Sequence, residues 1–478
     1  MNDISARESN FSYTVDALPD EVFRNYDIRG FADSQITPEF AHRLGAALAA
    51  KLLQQQHVSI YLGRDGRLSS PALATALEQG LTQQGMNVIN IDAVSTPVLN
   101  YAVHCDGKAD CGIMVTASHN AKDYNGFKII VRDQVIAGEM LQSIKQLMRS
   151  DLPSNNPAGE IIYTDIAPQY IQAIVSSCRP KQDLKIAIDC ANSIVGPIAV
   201  SLFEQLGYEI IPLFCQPDGN FPNHDPNPSD ERNLQPLQST VLSNQADLGL
   251  AFDGDGDRLV VISGNGEILW PDQLLMIFAR DMLNRHPKTD IVFDVKSSFR
   301  LQQLINELGG NPVMCKTGHS HVRNTVQSTG ALVGGEFSGH IFFNDRWYGF
   351  DDGLYASVRL LEILANCSMA PKQALEQIMS EFQPSAYTPE ILIPVAEAEK
   401  FALMEKLMAE CRFKGAIINT IDGLRVEYPL GWGLIRASNT SANLTMRFEA
   451  DNKDQLAHIK KLFSLELAPF INRVDQYL

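Results

Sequence analysis

The chain has no Walker loop and no G-x-G-x-x-G turn, so no nucleotide cofactor is expected. It has no C-x-x-C pair. Its eight cysteines lie scattered through 478 residues, which argues against a disulfide scaffold or zinc site and for buried thiols in a reducing compartment. It has no G-x-S-x-G elbow, so an ordinary serine hydrolase is disfavoured. Basic residues are short: the net charge is −17, and a nucleic-acid surface would need a basic stripe. Long apolar runs are missing as well. The longest apolar helix candidate, LGAALAAKLL, is too short to span a bilayer and carries Lys51. The opening MNDISARESNFSYTV has no apolar h-region. No signal peptide is therefore expected, and the expected location is the cytoplasm.

What is present is a globular composition, 45% hydrophobic with 32 glycines and 24 prolines. A chain of 478 residues exceeds one ordinary core and suits three or four domains. Short apolar runs, VSIYLG, GIMVTA, KIAIDC, LGLAF and DIVFDV, alternate with amphipathic stretches such as PALATALEQGLTQQG and LQQLINELGG. That alternation predicts α/β units with parallel or mixed sheets, helices on both faces, and ligands beyond the carboxyl ends of the strands. Polar, Pro-rich segments at 151–160 and 381–390 mark breaks, and 216–230 reads as an insertion inside a unit. The expected division is three α/β units at 1–162, 163–270 and 271–384, then a smaller α+β unit at 385–478.

In AFDGDGDRLV, Asp253, Asp255 and Asp257 alternate with glycine directly after the apolar LGLAF. Three carboxylates at a strand end are costly unless a cation neutralises them. The D-x-D-x-D pattern suggests a calcium loop, but Arg258 stands where that loop needs Gly and Gly264 where it needs a bidentate Glu. The spacing instead suits an octahedral Mg²⁺ sharing a phosphate oxygen, with Arg258 facing the same anion. The duller alternative is a solvated acidic turn.

A second strand end, VTASHN, carries Ser118. Ser118, His119 and Asn120 can simply cap a helix. The segment continues as DYNGFKII, however, where Asn125 and Gly126 form a turn and present Lys128. A serine beside a helix N-terminus and a lysine suits a phosphorylated hydroxyl. In GGEFSGHIFFN, Glu336, Ser338 and His340 alternate, which in an extended segment places them on one face, suited to sugar hydroxyls. In GWGLIRASNTSANL, Arg436, Ser438, Asn439 and Thr440 gather donors for a phosphate. Basic loops supply Arg24, Tyr26 and Arg29, then Arg64 and Arg67, then Lys316, His319 and Arg323. In an acidic chain they suggest an anionic ligand, with surface solvation as the alternative.

These four motifs, in this order, resemble the phosphohexomutase superfamily, on its bacterial phosphomannomutase/phosphoglucomutase branch. The resemblance runs from FRNYDIRG to RASNTSANLTMRFEA. It implies three related α/β domains and a fourth of different fold around one central cleft. By motif it makes Ser118 a phosphoserine, and Asp253, Asp255 and Asp257 Mg²⁺ ligands together with the Ser118 phosphate. Glu336 and Ser338 become sugar-hydroxyl readers, and Arg436, Ser438, Asn439 and Thr440 a distal phosphate clamp. Tyr26, Arg29, Lys128, Arg258, Lys316, His319 and His340 fall on cleft positions, with Lys128 or His340 as the general base.

The chain departs from the family pattern at three places: Ala121 follows SHN where Pro is usual, Phe337 stands where Met is common, and no Pro follows the clamp. The implied activity interconverts hexose 1-phosphate and hexose 6-phosphate, of mannose and glucose, through a hexose 1,6-bisphosphate intermediate that also serves as activator. The expected partners are small sugar phosphates, with no nucleic acid and no membrane, and the protein is expected to be a monomer. A metal-dependent phosphatase using Ser118, or a metal-stabilised sugar-binding module, are the alternatives the residues leave open.

Overall fold

Four β-sheets follow one another along the chain, and the first three repeat one arrangement. The computed structural model describes residues 18–24, 26–132, 134–136, 138–152, 156–178, 184–438 and 441–478. In the first sheet, Ser59–Arg64 lies between parallel Asn87–Ala93 and Cys111–Val115, and Tyr124–Val131 runs antiparallel beside the last. In the second, Lys185–Asp189 lies between parallel Glu209–Leu213 and Leu248–Phe252, with Leu259–Ser263 antiparallel beside the last. In the third, Asp290–Asp294 lies between parallel Asn311–Cys315 and Val333–Gly335, with Ile341–Phe343 antiparallel beside the last. Short strands extend the edges of the first and second sheets.

The repetition places the candidate residues. In each unit the parallel strand that enters the antiparallel pair ends in a reversal, and that reversal carries Ser118, then Asp253 to Asp257, then Glu336 to His340. The strands feeding these turns are apolar without alternation because helices cover both faces: every residue of Cys111–Val115, Leu248–Phe252 and Val333–Gly335 is buried. The expected insertion at 216–230 is a run of turns leading into the helix Glu231–Asn244.

One apolar core runs through the first three units, from Tyr61 and Val98 through Tyr170, Ile186 and Phe252 to Phe278 and Trp347. A second core lies under the outer helices of the first unit. The fourth sheet is antiparallel, centred on Gly431–Ala437 and Asn443–Ala450, and has its own core with Phe413, Phe463 and Leu467.

Polar contacts tie that last unit to the third. Arg425 donates to the carbonyls of Val295 at 2.6 Å and Ser297 at 2.9 Å. Glu449 accepts from Ser298 Oγ at 2.7 Å and Trp432 Nε1 at 3.0 Å. The fold therefore matches the expected three mixed α/β units plus a smaller terminal one. Among the described residues no helix is long and apolar enough to cross a membrane.

Candidate active site

The three reversals meet. Ser118 Oγ donates to Asp253 Oδ2 at 2.8 Å, joining the first to the second. Arg258 Nε donates to His340 Nε2 at 3.0 Å, joining the second to the third. Ser118 is buried and has φ of +50°, a left-handed conformation serine seldom adopts. Its surroundings hold it there. Its N–H donates to Thr116 Oγ1 at 2.9 Å, and its carbonyl accepts from Arg67 Nη2 at 2.8 Å. Gly254 lets the acidic loop approach, because a Cβ there would lie 2.4 Å from the Ser118 carbonyl oxygen.

Asp253, Asp255 and Asp257 are fully buried, and one oxygen from each lies within 4.8 Å of the others. Lys128 Nζ reaches Asp255 at 2.7 Å and Asp257 at 2.5 Å. Burial and the neighbouring Asp257 and Asp255 carboxylates push the Asp253 carboxyl up, to about 8. Burial works against Asp257 too, yet Lys128, His340 and Arg258 hold it below the usual carboxylate range. Burial opposes charge on Lys128, but Asp255, Asp257 and Asp253 outweigh it and keep the ammonium protonated. Asp255 Oδ1 and Asp257 Oδ1 are shielded from solvent with no hydrogen-bond donor among the described residues. Carboxylate oxygens left bare in a buried cluster fit a hard divalent cation.

Beside this cluster opens a cavity of about 670 Å³, lined from the first unit by Tyr26 and His119, from the second by Arg258 and from the third by Lys296, Glu336 and Ser338. Arg436 and Ser438 close it from the fourth. Two polar atoms, Ser338 Oγ and Arg436 Nη2, are buried without a hydrogen-bond partner among the described residues. Arg436 Nε is held by Asp422 Oδ2 at 2.9 Å. Burial would raise Glu336, but His340, Lys296 and Arg258 keep its carboxyl below the usual range.

A narrow space of about 40 Å³ brings Arg29, Ser118, Lys128, His319 and His340 to the same wall. Arg29 there donates to Asn120 Oδ1 at 2.7 Å and pairs with Asp27 at 2.6 Å. Burial pushes His319 down to about 4 and the Tyr26 phenol up. Burial also opposes charge on His340, while Asp257 and Asp351, the latter 2.8 Å from Nδ1, raise it.

Some expected residues sit elsewhere. Lys316 is exposed and lines none of these spaces. Asn439 and Thr440 lie outside the described residues. Arg64 pairs with Asp92 at 2.7 Å, and Arg24 lines an adjoining space of about 390 Å³ with Arg29 and Asp225. Arg323 is buried, with Nη1 donating to Asn100 Oδ1 at 3.3 Å. Arg67 is buried in the Ser118 loop itself, bonded to four of its carbonyls and to Asp65.

The segment bearing Glu336, Ser338 and His340 is not extended. It is a tight turn, with the Glu336 N–H bonded to the His340 carbonyl at 2.9 Å and Gly339 at φ of +106°. Glu336 and Ser338 still reach one cavity because the turn, rather than strand alternation, presents them. Sequence reading missed Lys296, which pairs with Glu390 at 3.3 Å, although its place just after the strand DIVFDV was the signal available. It missed Asp351 too, which has no motif around it.

A convergence of three equivalent reversals, closed by a fourth unit, is a feature that relatives can be compared on. Family models described as phosphoglucomutase/phosphomannomutase alpha/beta/alpha domains I, II and III match residues 20–153, 168–266 and 270–382, and the family's C-terminal domain matches 390–465. A phosphomannomutase/phosphoglucomutase of Pseudomonas aeruginosa is 46% identical over 452 residues, 94% of this chain and 96% of that protein. A phosphoglucomutase of Neisseria gonorrhoeae is 44% identical, covering 93% of this chain and 96% of its own length. The crystal structure of a phosphoglucomutase/phosphomannomutase family protein from Burkholderia thailandensis superposes with a TM-score of 0.89 at 40% identity, covering 95% of this chain and 98% of the other. Each of the four family domains thus lies on one of the four sheets, and the chain belongs to the phosphoglucomutase/phosphomannomutase family.

Proposed function

We propose that the chain interconverts hexose 1-phosphates and hexose 6-phosphates, of the mannose and glucose series, by way of a phosphorylated Ser118. The single observation that carries this reading is the 2.8 Å bond from Ser118 Oγ to Asp253, next to a cavity that Arg258 lines from one unit and Arg436 from another. Phosphoryl transfer asks for charge neutralisation and in-line placement more than covalent help. Asp253, Asp255 and Asp257 would hold Mg²⁺. When bound, it supplies Lewis-acid neutralisation of the phosphoryl oxygens.

The chain's own residues supply the rest. Arg436 and Ser438, with Asn439 and Thr440, grip the phosphate that does not react, and its binding energy orients the other end. Glu336 and Ser338 bind ring hydroxyls. Lys128 lies between Asp255 and Asp257 near Ser118, and it or His340, which Asp351 steadies at Nδ1, takes the proton of the attacking hydroxyl. The phosphoryl group passes from Ser118 to the sugar, giving a hexose 1,6-bisphosphate. This intermediate reverses in the cavity and returns its other phosphoryl group to Ser118. Water must be kept from the phosphoserine, and the fourth unit, closing the cavity through Arg436, is placed to do so.

The test is a coupled assay on mannose 1-phosphate and glucose 1-phosphate, with and without catalytic hexose 1,6-bisphosphate, beside intact-protein mass measurement. The expected result is bisphosphate-stimulated isomerisation and one phosphate on wild type that Ser118→Ala lacks. Steady release of inorganic phosphate without isomerisation would replace the mutase by a phosphatase.

A further inference from the structure

The metal-facing loop is anchored from the neighbouring unit by a residue that touches neither the sugar cavity nor the reacting atoms. Thr96 opens the helix Thr96–Cys105 in the first unit. Its N–H donates to the Asp255 carbonyl at 2.9 Å, and its hydroxyl donates to Asp255 Oδ2 at 2.5 Å. The preceding residue, Ser95, makes no side-chain cap for this helix. One of the orphan N–H groups of the helix start is thus satisfied by Asp255, a residue of the second unit. The positive end of the helix also favours the carboxylate placed there.

The consequence lies in how the two oxygens of Asp255 are divided. Oδ2 takes two donors, the Thr96 hydroxyl and Lys128 Nζ at 2.7 Å. Oδ1 is shielded from solvent and has no donor among the described residues. Without the hydroxyl, Oδ2 would keep one donor, an ammonium shared with Asp257, and the carboxylate could rotate about its own bond. With it, the carboxylate plane is fixed and a single oxygen is left without a donor among the described residues, as is Asp257 Oδ1. Thr96 is 3% exposed, so bulk solvent does not reach the bond.

The same bond registers one unit against the other. Ser118 and Thr96 belong to the first unit, and the acidic loop belongs to the second. Tethering Asp255 to Thr96 therefore helps set where the cation ligands stand relative to the Ser118 hydroxyl.

We infer that Thr96 is a positioning residue that fixes Asp255 as a one-oxygen ligand for the divalent cation. This rests on the metal role given to the acidic triplet under the proposed function. Partners of this kind, outside the ligand set, typically change metal affinity by about 10–100-fold when removed.

The test uses full-length protein and Mn²⁺ as the probe, with free Mn²⁺ read by electron paramagnetic resonance, so that binding is measured without turnover. Thr96→Val keeps the shape and removes the hydroxyl, and it is expected to weaken Mn²⁺ binding by about 10–100-fold. Thr96→Ser keeps the hydroxyl and is expected to bind within about 3-fold of wild type, the spread expected of context effects around such a bond. The Mg²⁺ concentration for half-maximal activity is expected to follow the same order, with KM for the sugar phosphate unmoved. If Thr96→Val does not fold, Thr96→Ala takes its place, since it adds no methyl against Asp255. Equal Mn²⁺ affinity in wild type and the hydroxyl-free variant overturns the inference, and so does a Thr96→Ser as weak as Thr96→Val. A wild-type protein that binds no Mn²⁺ is a different result: it removes the metal role of the triplet itself.

Discussion

Ser118 Oγ and Asp253 Oδ2 lie 2.8 Å apart although 135 residues separate them in the chain. They meet because each sits at the same point of a repeated unit, where a parallel strand turns into its antiparallel partner. Packing two such units with their strand ends facing brings turn against turn. The serine turn and the acidic turn then become neighbours without any local sequence relation between them.

Gly254 is the residue that permits this approach. An alanine Cβ would stand 2.4 Å from the Ser118 carbonyl oxygen, so the two turns would have to part. Gly254→Ala is expected to lower kcat/KM by about 100-fold, the usual cost of a displacement near 1 Å between reacting groups. Steady-state kinetics on glucose 1-phosphate, with far-UV circular dichroism as the check on folding, decides it. A folded variant with activity within a factor of about two would show that the close approach does not matter for turnover.

Arg67 shapes the same loop from behind. Its guanidinium donates to the carbonyls of Ser118 at 2.8 Å, Asn120 at 2.6 Å and Ala121 at 2.7 Å, while Nε pairs with Asp65 at 3.0 Å. Lysine keeps the charge but lacks the fork, and its three N–H donors would leave at least two of the four carbonyls and Asp65 short. Leaving buried acceptors unpaired in this way costs about 1–3 kcal/mol each. Arg67→Lys should therefore move the urea midpoint strongly and reduce Ser118 phosphorylation by a bisphosphate donor. A loss below about 1 kcal/mol, as for a surface pair, would count against the clamp.

Arg67 also shows where sequence reading stops. Strands ending at Val115, Phe252 and Asp294 were legible because burial on both faces requires uninterrupted apolar runs, and the acidic and serine motifs were legible because chemistry fixes residue types at short spacing. Arg67 bonds to backbone carbonyls, which leave no trace in residue identity, so it looked like a candidate anion ligand. Lys296 and Lys316 reverse roles for a related reason. Both follow a strand of the third sheet, and only the packing of the fourth unit decides that Lys296 faces the cavity while Lys316 faces solvent. The turn at Glu336 read as a strand because alternation and a glycine-bearing hairpin place the same polar residues two apart.

His224 gives a dependence on pH. Its Nε2 lies 3.1 Å from Asp189 Oδ2 and its Nδ1 lies 2.8 Å from the Asp225 carbonyl, so both ring nitrogens face acceptors and the imidazolium form satisfies both. Burial opposes that charge, but Asp189 and the Asp225 carbonyl raise the pKa above the ordinary 6.5. The folded state then holds the proton more tightly than the unfolded state. The stabilisation is fully present below the ordinary value and is lost as pH rises through the higher folded value. Wild type should lose stability relative to His224→Gln as pH is raised from about 6 to about 8.5. Chemical denaturation at several pH values measures this, and parallel curves for the two proteins would remove His224 as the cause.

Arg436 is aimed by Asp422, whose Oδ2 accepts both Arg436 Nε at 2.9 Å and the Thr317 N–H at 3.0 Å. Thr317 belongs to the third unit and Arg436 to the fourth, so one carboxylate orients the guanidinium and fastens it across the joint. With Nε held, Nη2 is left buried without a hydrogen-bond partner among the described residues, as the proposed phosphate contact requires. Arg436→Ala is expected to raise KM for the sugar phosphate by about 10–100-fold, the worth of a charge-assisted hydrogen bond of 1.5–3 kcal/mol. Asp422→Asn should raise it less, because the guanidinium remains but loses its direction. If Asp422 acts through Arg436, the two effects will not add: the double variant should be no worse than Arg436→Ala alone. Full additivity of the two losses in a double-mutant cycle would mean that Asp422 acts on the joint between units and not on the clamp.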